Sequence, residues 1–213
     1  APTAAAATRS TSNRWAEEPV GSATPTVDRR AAAHELQREH LLDAAAELMR
    51  EAAWPEISMA AIAQRAGVSR QTLYNEFGSR DAFAAAFALR VTDAFLTEVE
   101  RGFSDASDDP VLALEVGFRR FLELASSDPM VRTIVLRGPG SEELLALFTV
   151  RGGPVLELAR ERLAGKMLEL WPEADPAAAR ILAEALVRLG ISHAGLPATC
   201  AEDAVWQVKM LLA

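Results

Sequence analysis

Between Ser58 and Phe77 two short helical patterns are split by one glycine, Gly67, and each is preceded by a serine able to cap it, Ser58 for the first and Ser69 for the second. Helices joined this tightly must cross rather than run side by side, and the apolar residues say which sides meet. Ile62, Val68, Leu73 and Phe77 are spaced to bury between them. Ala63 is small where one helix crosses the other, and Gly67 can take the positive φ that the turn demands. Gly78 ends the second helix. This is the helix-turn-helix arrangement, in which the second helix is presented to the major groove of DNA.

Arg70, Gln71, Thr72, Tyr74, Asn75 and Glu76 remain to be shared between core and groove. Arg can take both acceptors of a guanine, and Gln or Asn can pair with adenine. The hydroxyls of Thr72 and Tyr74 suit phosphates, which set register without reading sequence. Backbone N–H groups around Ser69 can face a phosphate as well, Ser58 offers a further hydroxyl, and Arg80 is placed to clamp the DNA backbone. Glu76 is expected in solvent, unless it faces Arg65, Arg80 or a cytosine amino group.

A net charge of −8 argues at first against nucleic acid, but its distribution matters more. Residues 1–27 sum to zero, residues 28–80 to −1 and residues 81–213 to −7, whereas 58–80 alone carries three arginines against Glu76, a local +2.

Alanine is abundant, aromatic residues make up 6% of the chain, and no alternating strand pattern occurs, so an all-α fold of about nine or ten helices is expected. Residues 1–27, rich in Ala, Thr, Ser and Pro, are expected to form a disordered arm whose Arg9 and Arg14 can track phosphates. Asp28 is the expected cap of the first helix, which Trp54-Pro55 stops. Residues 28–80 are read as the DNA-binding domain and 81–213 as a second helical domain. In the latter, a long fourth helix is followed by starts at Pro110, Pro129 and Pro176, a break at Gly138-Pro139-Gly140, a kink or break at Gly152-Gly153-Pro154, and a last helix from about Ala201.

From Leu41 the text LLDAAAELMREAAWPEISMAAIAQRAGVSRQTLYNEFGSRDAF resembles the N-terminal signature of the Tet repressor family, a match running to about residue 87. The AGVS turn, TLY, the following aromatic, and a small residue with Arg before an acid carry the likeness. The resemblance implies that Arg70, Gln71, Thr72, Tyr74 and Asn75 face DNA and that Arg80 replaces a phosphate-touching lysine. Ala53 stands where glycine is common, and of the usual hydroxyl pair at Ser58-Met59 only Ser58 keeps its oxygen. The family likeness also implies a homodimer on a palindromic operator, in double-stranded DNA, and a small hydrophobic effector that releases it. Residues 67–80 are similar to members found near alkane or fatty-acid metabolism genes, which points to a fatty acyl-type effector.

In the C-terminal part the last two helices would form the dimer bundle, with Leu182, Leu186, Leu189, Val205, Trp206 and Leu212 as interface candidates, beside Ile181, Ala185 and Ser192 on the same stripe. Cavity walls are sought in Phe95, Phe118, Phe121, Leu122, Met130, Phe148 and Met167. Arg119, Arg120, Arg132 or Arg137 could bind a carboxylate. The fourth helix, joining the DNA unit to the cavity, is the expected lever.

No metal site, cofactor or catalysis is expected: His34, His40 and His193 are scattered without metal-ligand spacing, and no glycine-rich phosphate loop occurs. His193 on an apolar helix reads as a packed histidine. One cysteine, Cys200, no span of the roughly 18 apolar residues a membrane needs, and no signal-peptide pattern favour a cytoplasmic setting without membrane. The competing reading is a helical lipid carrier or scaffold that does not bind DNA. The acidic balance favours it; the polar recognition helix argues against it.

Overall fold

Pro25 opens the first helix, three residues before the expected cap at Asp28; a proline at the first helical position has its φ preset and forfeits no intrahelical hydrogen bond. The computed structural model describes residues 25–106, 108–127, 131, 142–149, 151–195 and 201–212. Among the described residues there are nine α-helices, one 3-10 turn and no strand, as the composition requires. We number them α1 (Pro25–Leu48), α2 (Met59–Arg65), α3 (Arg70–Phe77), α4 (Arg80–Ser104), α5 (Pro110–Ser127), α6 (Glu142–Phe148), α7 (Gly153–Leu170), α8 (Pro176–Gly195) and α9 (Ala201–Leu212), with the 3-10 turn at Trp54–Glu56. Residues 1–24, the helix expected at Pro129, the 138–140 break, Arg132, Arg137 and Cys200 lie outside the described residues.

The chain divides into two units, residues 1–36 and 37–213, with the boundary inside α1. All packing below belongs to the second. α1 ends at Leu48, earlier than the proline at 55 requires, and closes in tight turns in which Glu51 and Ala52 both donate to the Leu48 carbonyl at 2.9 Å. Pro55 instead sits in the 3-10 turn.

Starts are capped as side-chain chemistry predicts. Asp109 Oδ1 accepts the amides of Val111 and Leu112 ahead of α5, and Asp175 Oδ2 accepts that of Ala178 in α8. Gly152-Gly153-Pro154 is a break rather than a kink, separating α6 from α7.

Two apolar cores result. The first joins α1, the 3-10 turn, α2, α3 and the start of α4 around Leu41, Trp54, Ile62, Leu73 and Phe83, each fully buried. Trp54 stacks on Phe87 with ring centroids 5.9 Å apart, and Phe77 meets Phe83 edge-on at 4.7 Å. Leu144 and Leu147 of α6 and Val155 of α7 complete this core. The second is built from α4, α5, α7, α8 and α9 around Leu96, Phe103, Phe118, Leu163, Ala183 and Val208. Glycines let its helices approach closely: a Cβ on Gly190 of α8 would stand 2.7 Å from the Phe121 ring of α5.

Candidate functional site

Ile62, Ala63, Leu73 and Phe77 are buried where α2 crosses α3, and Gly67 holds φ at 67° in the turn between them. Ser58 caps α2 by accepting the Ala61 amide at 3.1 Å; Ser69 caps α3 by accepting the Thr72 amide at 3.0 Å. With the apolar side of α3 consumed by the core, its other side faces out. Arg70, Gln71 and Asn75 are exposed, and Thr72 and Tyr74 half-buried. Gln71 donates to Asn75 Oδ1 at 2.7 Å, and the Arg70 guanidinium stands 5.4 Å from the Tyr74 ring centroid. The hydroxyls of Ser69 and Thr72 lie 2.8 Å apart. Six of the eight candidate residues thus lie on α3 or at its cap, and Ser58 is exposed at the start of α2. Met59, where the family commonly has a hydroxyl, is buried in the core.

Arg80 is the exception and corrects the expectation of a backbone clamp. Its guanidinium turns inward, donating to the carbonyls of Ile57 at 2.6 Å and Trp54 at 2.9 Å and lying 4.5 Å from the Trp54 ring centroid. Two carbonyls and an aromatic face hold it more firmly than solvent would.

Glu76 is corrected too. Its side chain is 5% exposed and meets Arg38 of α1 at 3.2 Å rather than solvent, Arg65 or Arg80. Arg65 is itself engaged by Glu51 at 2.9 Å and Glu47 at 3.4 Å. The hydrogen bond from Arg65, then its charge, holds the Glu51 carboxyl below its ordinary range. The local +2 therefore overstates the charge available: among the described residues Arg70 has no ion pair, whereas Arg65 and Arg80 are spent internally. Arg38 and Trp54 escaped the sequence reading because their partners lie 38 and 89 residues away.

A second feature lies in the second core. A cavity of about 130 Å³ is walled by α4, α5, α6, α7 and α8. Phe95, Phe118, Phe121 and Phe148 line it. Leu122 and Met167 are buried in the same core but lie off the cavity, so they are packing residues; Leu122 occupies the stripe next to that of Phe118 and Phe121. Met130 lies outside the described residues. Thr92 and Thr149 contribute the lining's polar side chains, and each hydroxyl already donates to its own helix, at 2.8 Å to the Ala88 carbonyl and 2.9 Å to the Leu145 carbonyl. Among the described residues no charged side chain is in the lining. Arg119 and Arg120 pair with Glu115 and Glu98, both at 3.5 Å, so neither reaches into it as a carboxylate site. His193 is a packed histidine set edge-on to Phe118.

The dimer candidates divide. Leu186 and Val205 are buried within the chain, α9 packing on α5 and α8 on α5 and α7, so they are core rather than interface. Leu182 and Leu189 are half-buried, and the side chain of Leu212 is not among those described. Trp206 is 62% exposed, with Met210 one turn on at 57%, while Ile181 is 72% exposed on α8 in line with Ala185, Arg188 and Ser192. The outward stripe thus runs through Ile181 and Trp206, both among the residues expected there.

A helix-turn-helix with a free polar rim, joined to a helical body around an apolar cavity, defines a ligand-responsive class of DNA-reading regulator. Residues 41–87 match the family described as bacterial regulatory proteins, tetR family, and residues 109–213 match the bacterial tetracyclin repressor C-terminal domain. The HTH-type transcriptional regulator AlkX of Mycobacterium tuberculosis is 33% identical over 181 residues, 85% of each chain. Among solved structures, the TetR family repressor AlkX from Dietzia sp. strain DQ12-45-1b, implicated in biodegradation of n-alkanes, shares 32% identity with a TM-score of 0.71, covering 82% of this chain and 92% of that one. Thermus thermophilus FadR, solved with lauroyl-CoA, shares the fold at 22% identity and a TM-score of 0.56, covering 82% of this chain and 92% of its own. The chain belongs to the TetR family of DNA-binding transcriptional regulators and is not an enzyme. No helix among the described residues is long and apolar enough to cross a membrane.

Proposed function

We propose that this protein is a homodimeric repressor that holds a palindromic operator through α3 and lets it go when an apolar chain, of fatty acyl or related hydrocarbon type, enters the cavity. The observation that carries the reading is the exposure of Arg70, Gln71 and Asn75 on a helix whose other side is fully used by the core. These side chains have no packing role, yet their donors and acceptors match guanine and adenine edges. Ser58, Ser69, Thr72 and Tyr74, with the first amides of α3, fix the register on phosphates. Two copies joined through α8 and α9 would set two recognition helices about 34–36 Å apart, one turn of the duplex.

The effector reading rests on the cavity lining. A wall whose described side chains carry no charge and donate both hydroxyls internally favours a hydrocarbon chain inside the cavity with any carboxyl or thioester head left outside it, because a buried carboxylate would lose several kcal/mol of solvation without a partner. The lauroyl-CoA seen in the FadR structure and the n-alkane context of the Dietzia repressor support the same class. The ligand acts by preferring a state whose recognition helices are wrongly spaced, and DNA affinity falls by that preference.

The test is an electrophoretic shift with the gene's own upstream intergenic DNA. The full-length protein is expected to retard it, Arg70→Ala and Tyr74→Ala to weaken retardation with unchanged circular dichroism, and dodecanoic acid to reverse it. A wild-type protein that binds no such DNA even at low salt would return the reading to a helical lipid carrier.

A further inference from the structure

Glu143 belongs neither to the rim of α3 nor to the cavity lining, yet it touches the joint between them. Its carboxylate accepts the Trp54 indole N–H at 2.8 Å and stands 3.5 Å from Arg80 Nε. Arg80 in turn grips the carbonyls of Trp54 and Ile57, the latter immediately before Ser58, the cap of α2. One carboxylate on α6 therefore reaches, through two side chains, the turn that fixes where α2 and α3 begin.

The helix that carries it has two working sides. Leu144 and Leu147 are 0% and 9% exposed in the core of the DNA-reading head. Leu145, Phe148 and the following Thr149 line the cavity. α6 is seven residues long, the shortest of the cavity's helical walls, so it has few hydrogen bonds of its own to resist displacement. α4 is linked by surface ion pairs to α1 and α7, Arg90 reaching Glu39 and Asp43, both at 2.7 Å, and Arg162 reaching Asp93 at 2.6 Å and Glu100. The cavity, at about 130 Å³, is close to the roughly 150 Å³ that accommodates a benzene, so the part of a longer chain that enters it fills it and bears on Leu145 and Phe148 of α6.

We propose that Glu143 is the positioning residue through which α6 transmits occupancy of the cavity to the DNA-reading head. This rests on the reading above that an apolar chain in the cavity releases DNA. When the chain displaces α6, the Trp54 N–H loses its acceptor and Arg80 its counter-charge. The 54–57 turn then shifts, and α2 and α3 with it.

The experiment compares full-length wild type, Glu143→Ala and Glu143→Gln, measuring affinity for the upstream DNA with and without dodecanoic acid, and dodecanoic acid binding by calorimetry. Wild type is expected to lose DNA affinity by about tenfold or more with the acid, and Glu143→Ala by less than about threefold, a change in coupling rather than in fold. Acid binding should agree between them, because Glu143 does not line the cavity. Glu143→Gln, which keeps an acceptor for Trp54, should restore most of the response. Equal responses in wild type and Glu143→Ala overturn the proposal, and a Gln variant that behaves like Ala overturns the assignment to the Trp54 hydrogen bond. Should the acid bind no variant, the effector reading fails while the relay is judged by Ala159→Phe, which fills the cavity from α7. That substitution should weaken DNA binding with Glu143 present and not with Glu143→Ala. No effect of Ala159→Phe on DNA, or the same effect in both backgrounds, refutes the relay independently of any ligand.

Discussion

Phe103 of α4 packs so closely on Gly117 of α5 that a Cβ on the glycine would stand 1.9 Å from the ring's Cε1 atom. Phe103 is itself 2% exposed and has nowhere to retreat except into the cavity that both residues line. Gly117→Ala is therefore expected to push the ring into free space, at a cost of about 1–3 kcal/mol. Thermal denaturation should show a lower Tm, and the cavity should take apolar probes less well. An unchanged Tm would mean that the α4–α5 contact yields more easily than close packing allows.

Arginines 70 and 80 are ten residues apart and should fail in different ways. Arg70 is exposed and free of ion pairs among the described residues, so Arg70→Ala should leave stability within about 0.5 kcal/mol. Its DNA affinity should fall, and the salt dependence should lose roughly one phosphate's worth of slope if the side chain meets a phosphate, or sequence preference should relax if it meets a guanine. Arg80→Ala removes the donors to the Ile57 and Trp54 carbonyls and should destabilise the fold by roughly 1.5–3 kcal/mol. Chemical denaturation beside DNA titration separates the two.

Those arginines also mark what a sequence can and cannot disclose. Gly67, Ser58, Ser69 and the apolar spacing of Ile62, Leu73 and Phe77 act over a few residues, so the crossing of α2 and α3 was legible, and with it the outward side of α3. The inward turn of Arg80 was not, because the carbonyls of Ile57 and Trp54 that hold it lie 23 and 26 positions back, where sequence spacing gives no sign of a contact. The cavity was half legible: Phe95, Phe118, Phe121 and Phe148 line it, but Leu122 differs from them only by the rotation of α5 against its neighbours, which no local pattern fixes. On α8 and α9 the outward stripe keeps Ile181 and Trp206 of the expected set, while Leu186 and Val205 are turned into the core.

Acid should loosen the outer helices before the core. Glu51, Glu161 and Glu184 are all held below the ordinary glutamate value of 4.5, first by hydrogen bonds from Arg65, Arg180 and Arg188 respectively. A carboxyl whose value is depressed on folding adds stability that is fully present above its unfolded value and is lost as the pH falls through its folded one. Tm should thus be level above about pH 5 and decline below about 4.5, where these glutamates protonate in the unfolded chain first. The groups lie at the surface, Glu51 exposed and Glu161 and Glu184 half-buried, so the decline should be shallow and should shrink further in high salt. A decline beginning near neutrality would implicate other groups.

Ile181 and Trp206, exposed on α8 and α9, offer the cleanest separation of dimerisation from DNA reading, since neither lies near α3 in sequence nor lines the cavity. An isologous interface repeats each substitution across the two-fold, so one glutamate introduces two buried like charges. Ile181→Glu with Trp206→Glu should yield a monomer by sedimentation, with helicity and the Trp54 core intact, because both side chains already face outward. DNA affinity should then fall far more than for the loss of any single base contact, about 1–3 kcal/mol, because each head would bind its half-site alone. A double variant that remains dimeric would place the interface on some other face. One that becomes monomeric yet binds the operator undiminished would show that α3 reads its site without a mate.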